Sequence, residues 1–127
     1  MKRILFTIIA LVFINYMHSQ EPNDCINPIT VCGNGSFSSN ATGIGDKQEI
    51  FNFCGGVEHN SIWIKINIVQ TGQLGFDLIP NDPAVTVDYD FWVFAANKDC
   101  SNLGSPIRCA TTNPNSVPMT NNITGID

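Results

Sequence analysis

Three acidic residues, Glu58, Asp88 and Asp90, carry the clearest chemical potential in this sequence. Hard cations in extracellular β domains take carboxylate and carbonyl oxygens from loop ends. Asp88 and Asp90 stand at the start of a strong strand pattern, beside Tyr89, Phe91 and Trp92. Glu58 stands just before a second such pattern, the one that carries Trp63. If the two strand entrances meet at one end of a sandwich, the three carboxylates converge. Without a cation they would repel one another and their pKa values would rise. Calcium is therefore the expected cofactor, with Glu58, Asp88 and Asp90 as its ligands. The plainer alternative is that these acids cap turns or accept hydrogen bonds from neighbouring backbone N–H groups.

Other chemistries fit less well. Paired carboxylates can cleave glycosides, but alternation puts Asp88 and Asp90 on one strand face, roughly 7 Å apart at Cα. Nothing else in the chain supports acid–base work. A hydrolytic triad would have to use His59, which neighbours Glu58, Asn60 and Ser61 without a G-x-S-x-G elbow. Gly43-Ile44-Gly45-Asp46 is too short and too badly placed for a phosphate loop. No catalytic residue is assigned, and the chain reads as non-enzymatic. Trp63 and Trp92 would offer stacking platforms for a glycan if they face outward, and ordinary core if they face inward. The amides of Asn34-Gly35-Ser36, Asn40-Ala41-Thr42 and Asn122-Ile123-Thr124 suit a wet, weakly charged surface that binds polar ligands.

The cysteines point to an oxidising compartment. All five (Cys25, Cys32, Cys54, Cys100 and Cys109) read first as a disulfide framework. A local bridge between Cys100 and Cys109 could close the loop between them, and Cys32 with Cys54 could tie two strand regions together. Cys25 is then left over: its partner lies beyond residue 127, one thiol is free, or the pairing differs. Zinc fits poorly, since there is no C-x-x-C pair and one histidine beyond residue 19.

Residues 1–19 explain how the chain would reach such a compartment. Lys2 and Arg3 precede an apolar run, Ile4 to Ile14, interrupted by Thr7 alone and followed by polar residues from Gln20. This is the pattern of a secretory signal peptide, too short to span a bilayer comfortably. Cleavage after Ser19 would remove two basic groups and no acid, shifting the net charge from −5 to −7. Such a charge gives no electrostatic case for nucleic acid.

The elements that must position these residues read as strands. Only 13% of residues are charged, which argues against a helical bundle, while 43% are hydrophobic, which argues against disorder. Ile62, Ile64, Ile66 and Ile68 alternate with Trp63, Lys65, Asn67 and Val69, the period of a half-buried strand. Leu74, Phe76 and Leu78 resume the alternation after Thr71-Gly72, so 61–70 and 73–80 read as a hairpin. Tyr89 to Ala95 is a third strong strand, and 35–39, 48–53, 84–87 and 107–110 are weaker ones. Asp82 is a turn residue. The expected architecture is all-β, an antiparallel β-sandwich of jelly-roll type over residues 20–127. The Asn-, Thr- and Pro-rich stretch from Thr111 to Thr124 reads as a loop, and the sandwich as incomplete at its C-terminus.

Four blocks in order carry a resemblance: Asn23-Asp24-Cys25 with Val31-Cys32-Gly33-Asn34-Gly35, Cys54-Gly55-Gly56 through Trp63, Asp88 through Val93, and Leu103 through Cys109. The chain resembles the N-terminal domain of large secreted surface proteins of gliding Gram-negative bacteria. That group commonly ends in a gliding-motility-associated, type IX secretion sorting domain. The resemblance implies a jelly-roll-like β domain with adhesin or surface roles. The acidic residues are also similar in placement to those of complement-type jelly rolls that bind calcium. The expected function is a non-catalytic adhesion module of a larger secreted protein, meeting an extracellular glycan or protein and the downstream domains of its own polypeptide. The alternative is an accessory domain of a secreted hydrolase whose catalytic domain lies downstream.

Overall fold

A computed structural model describes residues 22–40, 42–117 and 119–126. The expected signal peptide, 1–19, lies outside them. Six short strands form: β1 (Ile29–Cys32), β2 (Ile64–Asn67), β3 (Phe76–Leu78), β4 (Phe91–Val93), β5 (Arg108–Ala110) and β6 (Thr124–Ile126). A 3-10 turn at Pro114–Ser116 is capped by the Asn113 side chain. Among the described residues no helix is long and apolar enough to cross a membrane.

The all-β character is as the alternation indicates, but the pairing differs. Among the described residues the strands make three separate two-stranded sheets, β1 with β2, β3 with β6 and β4 with β5, and no closed sandwich. β1 and β2 run parallel, in the register Ile29↔Ile64 and Val31↔Ile66. The expected hairpin between 61–70 and 73–80 is absent, because β3 instead pairs antiparallel with β6. Thr-Gly is not one of the dipeptides that favour the primed two-residue turns, so β2 and β3 are free to diverge into different sheets. The weaker candidates 35–39, 48–53 and 84–87 hold no strand; Phe53 makes only an isolated bridge to Gly56. Beyond Thr111, where a loop was expected, Thr124–Ile126 is a strand.

Period-two patterning predicts burial well in β3. Leu74, Phe76 and Leu78 are half-buried, while Gly75, Asp77 and Ile79 are exposed. β2 departs from it, with Ile64 38% and Ile66 41% exposed, so its isoleucine face has no layer over it. Apolar packing is sparse. Ile50 is the buried hydrophobic residue of the described chain, and aromatic pairs supply much of the rest. Trp63 stacks on Phe94 with ring centroids 5.8 Å apart, Phe53 meets Phe94 edge-on, and Phe76 meets Phe91 edge-on at 5.1 Å.

Two long-range disulfides cross this framework, Cys25–Cys100 and Cys54–Cys109. They are interlaced in sequence and replace both expected bridges, Cys32–Cys54 and Cys100–Cys109. The reason is strand pairing. Cys109 is held in β5 opposite Trp92, and the Trp92 indole donates to Phe53 O, which brings the neighbouring Cys54 within reach. Cys32 sits at the end of β1 opposite Asn67, exposed and free. The odd cysteine is thus Cys32, not Cys25.

Candidate functional site

The densest polar arrangement lies where Asn23, Asp24, Glu49 and Glu58 meet. Asn23 is fully buried, and its Nδ2 donates to Thr42 O, Gly43 O and Ser61 O at 3.0–3.1 Å. In return Ser61 Oγ donates to Asn23 O. This clamp brings residues 42–43 against residue 61. The chain then folds around Asp24, whose two oxygens accept from the Asp46 and Lys47 N–H groups at 3.1 and 3.0 Å. Gly45 makes the wrap possible: its φ is +76°, and a Cβ there would stand 2.5 Å from Asp24 Oδ1. The glycine loop rejected as a phosphate cradle therefore does receive an anion, the chain's own carboxylate.

Glu49 and Glu58 extend the arrangement. Glu58 is only 4% exposed. Its Oε2 accepts from the Glu49 and Ile50 N–H groups at 2.7 and 3.3 Å, while its Oε1 is buried without a hydrogen-bond partner. Glu49 accepts from the Cys25 N–H at 3.2 Å, and its other oxygen, Oε2, is likewise buried and unpartnered. Burial raises the Glu49 pKa, and the charges of Glu58 and Asp24 raise it further.

The expected calcium triad is not assembled. Glu58 is engaged by backbone N–H groups, the plainer of the two alternatives for it, and faces Glu49. Asp90 instead feels the charges of Asp88 and of His59. Among the described residues no group of three His, Cys, Asp or Glu side chains is placed to hold a metal ion. Asp82 is the turn residue expected, accepting from the Ala84 N–H at 2.9 Å.

Burial raises the Asp90 pKa, Asp88 adds to the rise and His59 opposes it. A carboxyl whose folded pKa is raised binds its proton more tightly in the folded state. Stability therefore falls as pH climbs from the unfolded toward the folded pKa. Asp90→Asn is expected to flatten that part of the profile and raise the melting temperature slightly at neutral pH. Thermal melts between about pH 3 and 7 check this.

Both tryptophans are half-buried and engaged in packing. The Trp92 Nε1–H donates to Phe53 O at 2.9 Å, and a Cβ on Gly56 would stand 2.8 Å from its ring. Trp63 is stacked on Phe94. Tyr89, 40% exposed, lines with Asp88, Thr112, Met119 and Thr124 a shallow cleft of about 100 Å³. One wall is set by Asn122, a second buried clamp, whose Nδ2 donates to Asp82 O, Ala84 O and Val87 O.

Asn122, expected among the amides of a wet surface, is instead 5% exposed, and neither the clamp of Asn23 nor Glu49 is foreseen from the sequence. Nothing in their spacing marks them, because each acts on backbone or charge far along the chain. Comparison with protein-family models, with curated proteins and with solved structures finds no match.

Proposed function

We propose that this chain is a non-catalytic extracellular β module of a larger secreted surface protein, one that docks a glycan or protein. The carrying observation is the pair of interlaced disulfides across a framework with little apolar core. Bridges of that span persist where thiols are kept oxidised, outside the cytoplasm. The resemblance to surface proteins of gliding bacteria supports the adhesive role, and the type IX secretion route belongs to the same reading.

The docking contact falls to the cleft at Asp88 and Tyr89 rather than to the tryptophans. A phenol ring flanked by a carboxylate and hydroxyl side chains suits a hydroxyl-rich ligand, which stacks on one face and hydrogen-bonds at the rim. Glycan-array binding by the disulfide-bonded domain is the test. Binding that weakens about tenfold on Tyr89→Ala, the effect of roughly 1.4 kcal/mol of lost stacking, supports the reading. Absence of any glycan or surface-protein ligand, or turnover of a substrate by the domain itself, would overturn it.

A further inference from the structure

We propose that Glu49 and Glu58 together hold a hard divalent cation of calcium type, bound between the two carboxylate oxygens that the protein leaves without donors. The proposal stands apart from the docking reading and involves none of the cleft residues.

The argument begins with what each oxygen already has. Glu58 Oε2 accepts two backbone N–H bonds, one of them as short as 2.7 Å, and Glu49 Oε1 accepts one. Donors of this kind favour the ionised form and fix the direction of each carboxylate. The remaining oxygens, Glu58 Oε1 and Glu49 Oε2, are both buried, and neither touches a donor. An anionic oxygen withdrawn from water without a partner is costly, and Glu58 as a whole is 4% exposed. The Glu49 main-chain N–H donates to Glu58 Oε2, so the Glu58 carboxylate lies against the backbone that carries Glu49, and its charge acts on the Glu49 carboxyl. Two unmet carboxylate oxygens in one buried region, with the charge of Glu58 acting on Glu49, call for positive charge there.

The surroundings supply little of it. Asp24 adds a third negative charge felt by Glu49, against one weak opposing cation, Lys47. Both Asp24 oxygens are engaged by the 46–47 backbone, which fixes that charge in place. A single shared proton would neutralise one of the three charges, whereas a divalent ion neutralises two. Calcium tolerates irregular oxygen shells completed by carbonyls and water, so two protein carboxylates can anchor it, whereas magnesium demands a near-ideal octahedron.

The test is thermal melting of the bridged domain at pH 7.5, in chelator and then in calcium or magnesium. Calcium at a few millimolar is expected to raise the melting temperature by about 5 °C, with a smaller response to magnesium. Glu49→Gln keeps an acceptor for the Cys25 N–H and removes one charge. It is expected to melt in chelator at or above the native temperature and to lose the calcium response. Glu58→Gln should lose it too, but Glu49→Gln decides the matter if that variant fails to fold. No response up to about 10 mM calcium overturns the proposal, as does a response that survives Glu49→Gln. Stability that instead rises toward acid pH without any calcium effect assigns the unmet oxygens to a shared proton, and overturns it equally.

Discussion

Cys54→Ser is expected to leave the domain unfolded, or nearly so, at 37 °C, and full reduction should have the larger effect. The bridges span 75 and 55 residues. In the chain-entropy account each removes about 4 kcal/mol of freedom from the unfolded state. That is a large share of the roughly 5–15 kcal/mol by which an ordinary domain is stable. This protein has little to set against the loss: Ile50 is the buried hydrophobe of the described residues, and strands of three or four residues contribute few ladder bonds. Loss of Cys54 also frees the segment on which Trp92 rests through its bond to Phe53 O. The fall should therefore be visible in tryptophan fluorescence as well as near-UV circular dichroism. Cys32→Ser is the control, since an exposed free thiol should cost less than about 0.5 kcal/mol. A cooperative melt that persists in strong reductant would mean that packing alone sustains the fold.

The contrast between β3 and β2 shows how far local pattern reaches. Alternation states which residues share a face, and in β3 the face with Leu74, Phe76 and Leu78 is the half-buried one. In β2 the isoleucines also share a face, but alternation cannot say what lies over it, and here nothing in the described chain does. Partner choice is equally non-local. β2 takes a parallel neighbour from far upstream and β3 an antiparallel one from far downstream, neither written in the residues between them. The cysteines repeat the lesson: five thiols declare a framework, while their pairing depends on which strands bring them together. Glu58 stands out in the sequence as an acid before a strand, but the groups it meets in the fold are main-chain N–H donors from residues 49 and 50. Its true neighbour, Glu49, lies nine residues earlier in a stretch without regular structure, where no periodicity marks it.

Asn23→Ala is expected to cost about 3 kcal/mol, the largest effect of any single non-cysteine change in the acidic region. The side chain is 2% exposed, and its amide nitrogen meets three main-chain carbonyls from two distant segments. An amide carries two hydrogens, so the three acceptors share them. Truncation leaves the Thr42 and Ser61 carbonyls facing a dry gap, while Gly43 O keeps the Ser61 N–H, and each unmet group costs on the order of 1–3 kcal/mol before the backbone relaxes. Asn23→Asp should be worse than alanine, since it keeps the volume but turns acceptor toward acceptor and sets a second charge beside Asp24. That order, wild type above alanine above aspartate, separates a donor's role from simple space filling. Urea titration followed by fluorescence measures it as a falling midpoint with an unchanged slope. Equal stability of the aspartate variant and the native domain would refute the clamp. The consequence extends past stability. The same carbonyls belong to residues 42–43 and 61, which flank the Gly45 turn around Asp24 and the approach to β2. Loosening Asn23 therefore also loosens the frame in which Glu49 and Glu58 face each other, and any calcium response should weaken in Asn23→Ala although no proposed ligand has been touched.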